Sequence, residues 1–156
     1  MNDSLPPLPP LPLIGWREWL TLPDLEVDRI KAKIDTGART SSLHAYNVEP
    51  IRRDGRDFIR FDIHPVQHNN STIVTAEAEL LEYRLIRSSS GAQSRRPVVV
   101  THVLLHGHCW PIELTLANRD DMGFRMLLGR QAMRGRVVVD PSQSYLSGKP
   151  KRKKKK

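Results

Sequence analysis

Asp35 sits in the stretch "IKAKIDTGARTSSLHA", where an alternating apolar run ends on a carboxylate followed by Thr36, Gly37 and a hydroxyl-rich segment. A strand that ends on an aspartate presents that carboxylate on a loop. Thr36 can bond a neighbouring backbone, and Gly37 permits close backbone approach or positive φ. Three chemistries suit such an aspartate: a turn residue, a metal ligand, or one half of a catalytic carboxylate pair. Histidine supplies the other candidate groups. His64 and His68 are four apart but interrupted by Pro65; His102, His106, His108 and Cys109 gather around "HGHC", which could offer zinc ligands; His44 follows Asp35 by nine residues.

The elements that must position these groups are mostly strands. "DFIRFDIH" alternates, with Phe58, Arg60, Asp62 and His64 on one face and Ile59, Phe61 and Ile63 on the other. "EVDRIKAKID", "SLHAYNV", "TIVTAEAELLEYRLI", "PVVVTHVLL", "WPIELTLA", "FRMLL" and "RVVVD" read as further strands, and "HGHC" as a hairpin turn. "SSSGAQSRR", residues 88–96, reads as a loop and is the candidate lid. "GRQAMRG" predicts one or two helical turns ended by Gly135. The whole is mainly β: a small closed barrel with one short C-terminal helix.

"IDTGA" with the later "MLLGR" resembles the retropepsin-like aspartic peptidases. Together, "IGWREWLTLP", "KAKIDTGARTSSLHA" and "MLLGRQAM" look like the bacterial family labelled ATP-dependent zinc protease, which is associated with ATP-grasp ligases of the RimK type. The likeness runs over about residues 13 to 142. It implies a homodimer in which Asp35 from each chain meets its copy across a two-fold axis. Two such carboxylates share a proton, one acting as general base on water and the other donating to the scissile carbonyl. Thr36 would brace the two loops, and Gly37 would admit substrate. Leu128, Gly129 and Arg130 are the expected support. Ala38 and Arg39 border the site, and Arg95 and Arg96 join them as candidate contacts for acidic substrates such as glutamate-rich tails. Retroviral enzymes place an aspartate where Arg39 stands, so Arg130 needs another partner. Many aspartic peptidases place a Ser or Thr at the position of Ala38, and its lack of a hydroxyl predicts a less acidic pH optimum here.

The zinc and ATP of that label have no sequence motif. There is no HExxH and no GxxxxGK[ST], so no cofactor and no metal ligand is assigned, and any ATP dependence would come from a separate ligase partner. A zinc-dependent hydrolase is one alternative, its sharpest form a metal shared by Asp35 and His44. A non-catalytic module binding an acidic protein is the alternative of a different class. Trp16 and Trp19 read as core or interface anchors.

The chain of 156 residues is expected to be one domain, residues 13–146, between a Pro-rich arm at 1–12 and a basic tail at 147–156. Seven of the formal net charges of +8 come from Lys149 to Lys156, leaving the rest near +1. The tail could attract phosphates or acidic chains without preference, but no aromatic residues are interleaved with it. One cysteine, no basic-then-apolar leader and no run near the roughly 18 apolar residues of a membrane span together predict a cytoplasmic protein.

Overall fold

Arg17–Leu22 (β2) alternates strictly, with Glu18, Leu20 and Leu22 turned inward and Arg17, Trp19 and Thr21 outward. That period of two recurs through the computed structural model, which describes residues 10–66, 71–87, 91–118 and 123–150. A short pair, Leu13–Ile14 (β1) and Val138–Val139 (β11), joins the two ends of the domain in parallel. The remaining strands are Val27–Asp35 (β3), Ser41–His44 (β4), Tyr46–Arg53 (β5), Arg56–Ile63 (β6), Val74–Arg87 (β7), Gln93–Leu105 (β8), His108–Ala117 (β9) and Met126–Gly129 (β10). A 3-10 turn, Pro23–Leu25, links β2 to β3, and a four-residue helix, Arg130–Met133 (α1), follows β10.

Nine strands form one sheet in the order β2-β3-β10-β4-β9-β8-β7-β6-β5. Thr21 of β2 also pairs with Leu104 of β8, so β2, β3, β10, β4, β9 and β8 close into a ring, while β7, β6 and β5 extend from it. The fold is thus mainly β with one short helix, as the residue pattern predicts. Inside lie Leu20, Ile30, Leu43, Phe61, Leu114 and Leu128, all fully buried. Each contributes about 1.5–3 kcal/mol by leaving water. The alternation read in β6 holds: Ile59, Phe61 and Ile63 are buried, and Arg60 reaches Glu77 on the outer face.

Three features differ from the local reading. The segment 88–96 is not all loop: residues 88–90 lie outside the described residues, and Gln93–Arg96 continue β8, pairing with Arg84–Arg87. The turn at "HGHC" is only His106 and Gly107, both at positive φ, with His108 and Cys109 already in β9. Glu18, fully buried, takes an apolar position. Its carboxylate accepts the N–H groups of Gly15 (2.7 Å), Leu146 (2.9 Å) and Ser147 (3.0 Å) and the Ser147 hydroxyl (2.6 Å). Those four bonds replace its hydration and tie residues 146–147 to β2. Gly15 has no room for a side chain, because a Cβ there would stand 2.1 Å from the Gln143 oxygen.

Candidate active site

β3 ends at Asp35, where it pairs in parallel with Gly129 of β10, and β10 pairs on its other edge with β4. The chain therefore leaves the sheet at Asp35, loops over the end of β10 and returns as β4. Two backbone groups of that loop orient the aspartate: the Gly37 and Ala38 N–H groups each donate to its Oδ1 at 3.1 Å. Among the described residues nothing donates to Oδ2, and Thr36 and Gly37 are exposed, so the second oxygen is available at the surface.

The loop is fastened from below. Arg130 N–H donates to the Ala38 carbonyl (2.7 Å), Gln131 N–H to the Arg39 carbonyl (3.0 Å), and Gly129 N–H to Ser41 Oγ (2.9 Å). The Arg130 side chain finds its partner in the Thr36 carbonyl, 3.0 Å from Nη1. Gly129 is required because a Cβ would lie 2.6 Å from the Thr40 carbonyl carbon. Leu128, fully buried, packs beneath. Asp35, Thr36, Gly37, Ala38, Leu128, Gly129 and Arg130 are thus brought together at one loop.

Beside it runs a groove of about 730 Å³ bordered by Arg39, Thr40, Arg84, Ile86, Glu113 and Gln131. Arg84 bridges to Glu113 at 2.7 Å. A second recess of about 300 Å³ reaches Ala38 and gathers Arg39, Arg87 and Arg96. Arg96 and Arg39 therefore share a cavity. Arg95, one residue away, faces the other side of the β7–β8 hairpin, its guanidinium 4.8 Å from the Tyr83 ring centre. Arg87 was missed from sequence. It is the last residue of β7 and borders the recess from the end of that strand.

The histidines separate. His102 Nδ1–H donates to Asp24 at 2.7 Å, a bond that holds the Asp24 carboxyl below its ordinary range. His106 Nε2–H donates to the Leu13 carbonyl, and His64 stacks on Tyr46. His44 is buried, and its N–H bonds to the carbonyl of Arg125, the residue before β10, four residues from Gly129 at the level of Asp35. At about 3.3 Å per residue that is about 13 Å, too far for a shared metal. His68 lies outside the described residues. Among the described residues no group of three or more His, Cys, Asp and Glu side chains surrounds a common point. No helix among them is long and apolar enough to cross a membrane.

A family model described as RimB-like, "Retropepsin-like aspartic endopeptidase RimB", matches residues 13–150. Among curated proteins, a "Probable alpha-L-glutamate ligase" of Shewanella halifaxensis is 46% identical over 136 residues, 87% of this chain and 30% of that protein. A protein of the same name in Parasynechococcus marenigrum is 48% identical over 136 residues, 87% of this chain and 29% of its own length. The chain thus spans under a third of the curated relatives it matches. The crystal structure of a protein of unknown function from Legionella pneumophila superposes with a TM-score of 0.73 at 28% identity, covering 87% of this chain and 98% of that one.

Proposed function

This chain belongs to the RimB-like family of retropepsin-like aspartic endopeptidases, and we propose from there that it hydrolyses amide bonds with a dyad of two Asp35 residues, one from each chain of a homodimer. The observation that carries the reading is the Asp35 carboxylate itself: Oδ1 is anchored by the Gly37 and Ala38 N–H groups, which leaves Oδ2 for chemistry. In the dimer one Asp35 is ionised and takes a proton from water as the water oxygen bonds to the substrate carbonyl carbon. The protonated partner donates to the carbonyl oxygen. The tetrahedral adduct then collapses: a proton passes to the amide nitrogen, the C–N bond breaks, and the amine leaves. Preorganised N–H groups keep each carboxylate aimed, so little reorganisation accompanies reaction.

The substrate proposed is a protein tail extended with glutamate. Arg39, Arg87 and Arg96 offer guanidinium groups to carboxylates beside the scissile bond. The relatives named for glutamate ligation support the same chemistry, and a ligase that adds glutamate is the proposed partner. Ala38 brings no hydroxyl to the dyad, and the pH–rate profile is expected to peak above about 4.

Mass spectrometry of a glutamate-extended peptide incubated with wild type and Asp35→Asn, each with and without chelator, tests the proposal, with sedimentation to give the assembly. Turnover that survives chelator, disappears in Asp35→Asn and accompanies a dimer supports it. Turnover abolished by chelator transfers the chemistry to a metal. A wild type that retains the peptide without cleaving it makes the domain a binding module.

A further inference from the structure

The outward face of β2 and β3 shares no residue with the groove beside Arg39 and Thr40 and combines aromatic rings with positive charge. Cross-strand register sets Trp19 opposite Lys31 and Arg17 opposite Lys33. Around the Trp19 ring centre stand Lys149 Nζ at 5.0 Å, Lys31 Nζ at 5.2 Å and the Arg29 guanidinium at 5.8 Å. Tyr145 continues the surface, its ring centre 6.1 Å from that of Trp19. The Arg17 guanidinium lies over Tyr145 at 4.9 Å and over Trp16 at 4.6 Å. A cleft of about 580 Å³ opens beside Trp19, with Pro65 and Ile73 on its far wall and the acids Glu26 and Asp28 at its margin. Immediately after Pro150 the sequence continues with six more cations, "KRKKKK".

We infer that this face is a docking surface for single-stranded nucleic acid. Three cations around one indole repel each other, and a polyanion relieves that repulsion. A second copy of this chain would oppose cations to cations across a two-fold axis, so self-association is disfavoured here. A chain of glutamates offers carboxylates but no rings for Trp19 and Tyr145. A single-stranded nucleic acid supplies both partners: phosphates that draw Arg17, Lys31 and Lys149 off the rings they now cover, and bases that take their place against Trp19 and Tyr145. No aromatic residue is interleaved in the basic tail, but its first cation, Lys149, lies over Trp19.

Fluorescence anisotropy of the full chain titrated onto a labelled oligouridylate of about 15 nucleotides, over a range of salt, tests this without any turnover. Lys31→Glu combined with Lys149→Glu is expected to weaken binding at least tenfold. It should also flatten the log–log salt slope by about 1.4, since each lost phosphate contact on a single strand is worth about 0.7. Trp19→Leu should weaken binding about fivefold or more and leave the slope unchanged. Thermal melts report folding, and the charge-reversed pair, being on the surface, carries the test if Trp19→Leu melts early. The proposal is overturned if the paired variant binds like wild type, since the tail alone would then act. It is also overturned if a glutamate oligomer of equal charge displaces the oligonucleotide at equal concentration, or if nothing binds at low salt.

Discussion

The Asp35 loop and the outer half of the β7–β8 hairpin border the same cavities but are built in opposite ways. The loop is clamped by backbone bonds from Arg130 and Gln131, sits on buried Leu128 and has no room for a Cβ at Gly129. The hairpin changes register between Leu80 and Glu82, and beyond that shift its apolar side chains lose the core: Leu85 is 70% exposed and Tyr83 38%. One region anchors a carboxylate oxygen with two N–H groups; the other carries Arg84, Arg87 and Arg96 on two strands beyond the core. On the proposed reading, chemistry and selectivity rest on elements supported differently: the loop is clamped over the core, whereas the hairpin keeps its strand ladder but extends past the buried side chains.

Substitutions can break that contrast. The largest effect is expected for Asp35→Asn, which should lower peptide hydrolysis by about 10³-fold or more, read by mass spectrometry, while leaving the thermal melt near wild type. Gly129→Ala should act through the frame instead. It forces a Cβ against Thr40, destabilising the fold by about 1–3 kcal/mol in denaturant titrations and reducing activity by displacing the loop. Arg87→Ala with Arg96→Ala should leave stability within about 0.5 kcal/mol and raise KM for a glutamate-rich peptide about tenfold, with a smaller change for a neutral peptide. Arg95→Ala, on the face of the hairpin opposite Arg96 and outside the recess, should change KM less than twofold; an effect equal to that of Arg96→Ala would erase the distinction between the two positions.

The smallest effect concerns pH, far from the loop. Hydrogen bonds from Thr75 and Asn47 hold the Asp62 carboxyl below its ordinary value. Its stabilisation is therefore complete above the unfolded carboxylate pKa near 4 and disappears as pH falls through the depressed folded value. Asp62→Asn should remove that acid dependence, a change within about 1 kcal/mol at this surface site, measured by melts between about pH 2 and 5.

Local pattern made much of this molecule legible. The alternation in Arg56–Ile63 named its buried face, the strand ending on Asp35 announced a presented carboxylate, and Gly135, at φ +74°, ends the helical turn where expected. Such features depend on residues within a few positions of each other, which a period of two or a glycine records directly. The neighbours of those features are set by strand register over long separations. Arg87 and Arg96 reach Arg39 while Arg95 turns away, Arg130 finds the Thr36 carbonyl, Glu18 is buried by donors from Leu146 and Ser147, and His44 is kept from Asp35. The amino-acid sequence by itself determined which carboxylate is offered and on what kind of element. Only the tertiary structure decided which charges surround it and which aromatic face the basic tail begins on, because those neighbours come from residues far apart in the chain, brought together by strand register and by loops docked on the sheet.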